Sequence, residues 1–222
     1  MTSMPIVVLV SGEGTNLQAI IDAARSNNLP VEILAVISNR PGANGLTRAR
    51  QAGIATQVVD NTRYETREAF DTALQAVIDP YQPALVVLAG FMRILTEAFV
   101  THYRGRLINI HPSLLPAFPG LNTHRRALAA GVTEHGASVH FVTNEVDGGP
   151  VIAQVRVPIA EDDDPHRLAA RVLKREHALY VTAIRWYAQG RLKLVDGVVS
   201  LDGRILSKPL DFDKAVEQGD VQ

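Results

Sequence analysis

The chain has 222 residues, 46% hydrophobic and 20% charged, and its formal net charge is -1. That length supports one sizeable core, and the near-neutral charge leaves no electrostatic footprint for nucleic acid or an anionic membrane. The absence of cysteine removes disulfides, thiolate metal sites and cysteine nucleophiles from consideration.

Pro5 to Val10 is an apolar, β-branched run, read as a first core strand and not a signal peptide, which makes the cytoplasm the expected location. It ends in Ser11-Gly12-Glu13-Gly14-Thr15-Asn16, and Leu17, Ile20, Ile21 and Ala24 then fall at helical spacing. Val31 to Ser38 is a second strand, followed by the loop Asn39 to Gly42 and a short helix near Leu46 to Ala52. Ala55 to Val59 is a third strand, Arg67 to Ile78 a helix, and Arg106 to Ile110 a fifth strand. Between these last two, Ala84 to Ala89 is apolar throughout, as a parallel strand covered on both faces must be. None of the apolar runs is long enough to cross a bilayer.

Beyond the proline-rich stretch Pro112 to Pro119, Ser138 to Val142 and Val151 to Val157 read as strands around the turn Asp147-Gly148-Gly149-Pro150. A long helix over Pro165 to Ala188 and a polar hairpin over Leu192 to Leu201 follow, and the last few residues read as frayed. The alternation predicts an α/β fold, a Rossmann-like, doubly wound and mostly parallel sheet with an antiparallel C-terminal extension. No repeat or linker divides it, so a single domain is expected.

Several places carry chemistry. The glycine loop lacks the lysine of a nucleotide-triphosphatase loop and the third glycine of a dinucleotide fingerprint, leaving either a monophosphate cradle or a tight turn capped by Thr15 or Asn16. Asn109 and His111 share one face of a strand about 7 Å apart, where two polar groups can donate to one developing oxyanion. The ordinary alternative is a strand-capping Asn and a structural His. Asp147 suits a general base on a tight loop, and equally a plain Asp-Gly turn. Glu176 sits at the edge of the stripe Leu168, Val172, Leu179, Ala183 and Trp186, where an acid needs a partner, Arg175 or Arg171, or exposure. Phe91 to Leu95 could line a pocket for a flat heterocycle or begin a helix. His140 faces away from Val139 and Phe141, in a supporting or a structural role.

The run Asn109-Ile110-His111-Pro112-Ser113-Leu114-Leu115-Pro116, with His140 later and six residues between it and Asp147-Gly148-Gly149, resembles the folate-dependent phosphoribosylglycinamide formyltransferase family of purine biosynthesis. The likeness runs from the first strand to about residue 195. It implies a catalytic trio of Asn109, His111 and Asp147. Gly14, Thr15 and Asn16 would hold the substrate phosphate, and Glu176 the ribose hydroxyls of glycinamide ribonucleotide. Arg67, Met92, Arg93, Ile94, Leu95, Asn109, Thr143, Asn144, Glu145, Val146 and Asp147 would meet 10-formyltetrahydrofolate, a co-substrate, with no metal. Residues about 1–105 would form the phosphate-binding half, about 106–202 the folate and catalytic half, and 203–222 a tail. Small molecules would be its partners, without nucleic acid or membrane, and a homodimer stays open.

Thr15 stands where serine is frequent in the family, and Asn144 where an acid is usual. An Asp147 beside His111 is also expected to favour the imidazolium. Methionyl-tRNA formyltransferases share the trio but need a C-terminal domain that about 30 residues cannot supply. Formyltetrahydrofolate hydrolases carry an N-terminal domain, whereas this catalytic region starts at Met4. The glycine loop argues against sugar-amine formyltransferases, and the intact trio against a silent folate- or nucleotide-binding module.

Overall fold

Apolar side chains along β1 (Met4–Val10) demand cover on both faces, and Ile6 to Val10 are fully buried. The computed structural model describes residues 3–217, in two compact units that meet in the sequence at Asn109 and Ile110. In the first unit, α1 (Thr15–Arg25) leads to β2 (Val31–Ser38), α2 (Asn44–Gln51) to β3 (Ala55–Val58), and α3 (Arg67–Ile78) to β4 (Leu85–Leu88). The short helix α4 (Glu97–His102) then precedes β5 (Leu107–His111). These strands pair in parallel in the order β5-β4-β1-β2-β3. The order reverses between β1 and β4, so the loops that leave their carboxyl ends flank the switch point where open α/β sheets place ligands. Those loops are the glycine-containing Ser11–Asn16 and the segment Gly90–Leu95.

The second unit holds α5 (Thr123–Ala129), then β6 (Glu134–Phe141) and β7 (Val151–Pro158) as an antiparallel pair. Helix α6 (Pro165–Ala188) packs on both strands. Its start is set by Asp164, whose carboxylate accepts from the N–H groups of His166 at 2.7 Å and Arg167 at 2.9 Å, with Pro165 in the first turn. A separate antiparallel sheet of β8 (Leu192–Val195), β9 (Val198–Leu201) and β10 (Arg204–Ile205) follows. The two-residue strand β11 (Leu210–Asp211) lies parallel beside β7, and α7 (Phe212–Glu217) ends the described chain. The α/β class and the antiparallel extension are both as expected.

Strand β6 begins at Glu134, four residues earlier than the sequence indicates, because Gly136 lets two backbones approach closely. A Cβ there would sit 1.9 Å from the Val155 carbonyl oxygen. The fifth strand is also shifted by one residue, to Leu107–His111. The frayed end expected from the sequence concerns residues 218–222, which lie outside the described residues. No helix among the described residues is long and apolar enough to cross a membrane.

Two imidazoles tie α5 to β6: His135 Nε2 lies 3.2 Å from His124 Nδ1. His135 is fully buried, and burial, together with the His124 and His111 rings, lowers its pKa from 6.5 to about 4. In the unfolded chain the ring titrates near 6.5, so between that pH and about 4 the unfolded state holds a proton that the folded state does not. Stability therefore falls as pH falls through this window, by an amount on the order of 3 kcal/mol at its acid end. Denaturant midpoints measured across the window should decline in the wild type and decline less in His135→Asn. Equal slopes in the two proteins would remove His135 as the cause.

Candidate active site

Gly14, not Thr15 or Asn16, is the N-cap of α1, with φ +70° and no side-chain cap. The reason is steric. A Cβ on Gly14 would lie 2.6 Å from the Gly45 Cα, and the Gly45 N–H donates to the Gly12 carbonyl at 3.0 Å. The loop is thus clamped backbone to backbone against α2, and Arg48 Nε donates to the Glu13 carbonyl at 2.7 Å. The first turn of α1 carries no acidic residue. Its N–H groups and positive dipole end suit a monophosphate.

The Gly90–Leu95 loop is irregular, and the next helix starts only at Glu97. Phe91 and Leu95 point into the core, while Met92 and Ile94 are more than half exposed. The Arg93 guanidinium carbon stands 5.2 Å from the centroid of the Phe70 ring. Arg67 opens α3 and is exposed. Met92 and Arg93 also line a cavity of about 390 Å³ with Asn39, Arg40, Pro41, Asp60, Asn61 and Thr62. The sequence reading treats Asn39 to Pro41 only as loop and gives Asp60 to Thr62 no reading. Asn109 lies at mid-strand in β5, opposite Leu88 in register.

In the second unit, His111 ends β5 and is 6% exposed. Its Nε2 is 3.0 Å from the Phe118 carbonyl oxygen and its Nδ1 3.3 Å from Asp147 Oδ2. Burial lowers the His111 pKa below its ordinary value, and the Phe118 carbonyl and Asp147, which both raise it, do not outweigh that loss of hydration. Asp147 thus favours the imidazolium, as expected, while burial opposes it more strongly. Yet both ring nitrogens face acceptors, an arrangement that only the imidazolium satisfies fully.

Asp147 has φ +53°, a conformation that a short polar side chain tolerates better than most. Its Oδ2 also accepts from the Gly120 N–H at 2.8 Å, and Oδ1 lies 3.7 Å from His140 Nε2. Burial alone would raise the carboxyl, but His140, the Gly120 N–H and the His111 ring together hold it below the usual carboxylate range. It is therefore charged at neutral pH. His140 is buried, with Nδ1 2.9 Å from the Phe141 carbonyl oxygen and Nε2 on the side of Asp147.

Thr143 is partly buried, Asn144, Glu145 and Val146 are exposed, and Gly148 N–H closes the turn onto the Glu145 carbonyl at 3.1 Å. Glu176 is 6% exposed among Val172, Leu179 and Tyr180. Arg175 and Arg171, the two arginines nearest it in sequence, pair with Asp213 and Asp163. The structure thus brings together His111, His140 and Asp147. It groups Gly14 to Asn16 and Met92 to Leu95 around one switch point.

The formyl transferase family profile matches residues 4–184. The phosphoribosylglycinamide formyltransferase of Escherichia coli is 57% identical over 203 residues, covering 91% of this chain and 96% of that protein. The one from Haemophilus influenzae is 45% identical over the same shares of the two chains. The solved phosphoribosylglycinamide formyltransferase of Coxiella burnetii superimposes with a TM-score of 0.90 at 54% identity, covering 94% of this chain and 98% of that one.

Proposed function

The chain belongs to the formyl transferase family, and we propose that it moves the formyl group of 10-formyltetrahydrofolate onto the amine of glycinamide ribonucleotide through Asn109, His111 and Asp147. Its activity is that of a phosphoribosylglycinamide formyltransferase of purine biosynthesis. The assignment of residues to steps is the proposal.

The amine is the nucleophile once it is deprotonated, so the protein need only position it. Its nitrogen forms a bond to the formyl carbon, and the carbonyl oxygen takes the electron pair as an oxyanion. Asn109 and His111 donate to that oxygen, which takes the place of the Phe118 carbonyl as acceptor for the imidazole. Asp147 receives the amine's proton, through a water, and a proton passes to the folate nitrogen as its bond to the formyl carbon breaks. His111 keeps its own proton and only donates a hydrogen bond, and the attraction is strongest in the transition state, where the charge on the oxygen develops.

The observation that carries this reading is the buried His111–Asp147 contact of 3.3 Å. Gly14, Thr15 and Asn16 would take the phosphate, Glu176 the ribose, and Arg67, Met92 to Leu95 and Thr143 to Asp147 the folate. A spectroscopic assay of folate deformylation tests it, run with glycinamide ribonucleotide, with a sugar amine, and with no acceptor. Deformylation should require the ribonucleotide. Equal rates without any amine would make the protein a hydrolase, and turnover with the sugar amine alone would move the acceptor to another class.

A further inference from the structure

The irregular segment Met92–Leu95 is held at both ends by buried side chains of the first unit. At its start, the Met92 N–H donates to Ser11 Oγ at 2.7 Å, and that hydroxyl donates to Asn39 Oδ1 at 2.5 Å. Just beyond its end, the Thr96 N–H donates to Asp71 Oδ2 at 2.6 Å, and the Thr96 hydroxyl caps α4 by accepting from the Phe99 N–H. Asp71 lies on the buried face of α3 with Phe70, Leu74 and Ile78, and is 3% exposed. Its neighbour Phe70 supports the Arg93 guanidinium.

An acid in that position is a poor choice for stability. Burial raises the Asp71 carboxyl above its ordinary value, against the Thr96 contacts and the Arg93 charge. Asp71 Oδ1 and Arg93 Nε are both buried without a hydrogen-bond partner among the described residues. A neutral acceptor would serve the Thr96 N–H with less desolvation. What only a carboxyl adds is attraction for the Arg93 cation, on the segment proposed to meet the folate.

We propose that Asp71 is a positioning residue for the formyl-folate: it fixes the carboxyl end of Met92–Leu95 through Thr96 and holds Arg93 in place. This rests on the reading that the segment meets the folate. The test uses the full chain and steady-state kinetics in both substrates, with thermal melts alongside. Asp71→Ala removes acceptor and charge, and should raise KM for 10-formyltetrahydrofolate about tenfold, the scale of a hydrogen bond to a charged group. Asp71→Asn keeps an acceptor and removes only the charge, and should give a smaller rise, about threefold. KM for glycinamide ribonucleotide and kcat should stay within about twofold of wild type in both.

Folate KM unchanged in both variants overturns the proposal. So does a uniform loss in kcat and both KM values that tracks a fall in Tm, since that marks a structural residue. If Asp71→Ala fails to fold, Asp71→Asn decides alone. Arg93→Ala and Ile94→Ala separate the two levels of the argument. If they raise folate KM and the Asp71 variants do not, only the positioning role fails. If none of the four moves it, the folate assignment of the segment fails as well.

Discussion

Asp147→Asn should lower kcat about 100-fold or more, a transition-state loss of about 2.7 kcal/mol or above, while leaving the fold intact. The substitution keeps the size of the side chain and an oxygen for the Gly120 N–H, now 2.8 Å away. Asn also tolerates the φ of +53° found here. What is lost is the negative charge and with it two functions. The amide cannot take the amine's proton. It also gives His111 no charged partner at 3.3 Å, so desolvation of the imidazolium goes unopposed from that side. The carboxyl lies below its ordinary pKa, so the wild type is already ionised at neutral pH and cannot compensate by a pH change. Steady-state kcat and a thermal melt on the same preparation check this. His111→Ala should fall as far. Near-normal turnover in either variant removes that residue from the mechanism.

The parts of the fold readable in the chain are those with strong local signals. Arg67–Ile78 is preceded by Thr66, whose hydroxyl accepts from the Ala69 N–H, and Pro165–Ala188 by Asp164 and a proline at the first turn. Both helices start and end where the pattern places them. Glu97–His102, Thr123–Ala129 and Phe212–Glu217 escape, because six or seven residues hold too little of a 3.6-residue period to stand out. The strand Leu210–Asp211 exists only because β7 offers it an edge, a partner more than fifty residues away.

The candidate site divides in the same way. Asn109 and His111 are visible because alternation on a single strand is a local rule. The His111–Asp147 contact, the Phe118 carbonyl and the approach of His140 depend on how loops close, which spacing does not encode. Two further features are local to the sequence. Asp71 falls on the stripe Phe70, Leu74 and Ile78, where an acid needs a reason, and Gly45 matches Gly14 as a second place stripped of a side chain for close contact. The net proton affinity of His111 is not legible in the same way, because a neighbouring charge can be inferred from a motif, whereas the extent of desolvation cannot.

Gly149→Ala should be nearly as damaging to turnover as the loss of Asp147 itself, and should also lower Tm. From the chain alone, Gly148 and Gly149 look alike, two glycines of one turn. In the fold they differ. A Cβ on Gly149 would lie 1.8 Å from the Phe141 carbonyl oxygen and 2.9 Å from its carbon. Those are backbone atoms at the end of β6, so nothing flexible can swing aside. A Cβ on Gly148 would meet the Glu145 side chain, at 2.6 Å to its Cβ and 2.8 Å to its Oε2, and Glu145 is exposed. Relief at 149 therefore requires the chain itself to move, and the overpacking cost is on the order of 3 kcal/mol. Asp147 is only two residues away, and a shift of about 1 Å there breaks geometry worth about 100-fold in rate. Gly42→Ala is the control: its Cβ would meet nothing within 4 Å, so kcat and Tm should hold. Gly149→Ala with wild-type kcat would mean that the Asp147 turn adapts without moving its carboxylate, and that the proposed base does not depend on the close packing of its loop.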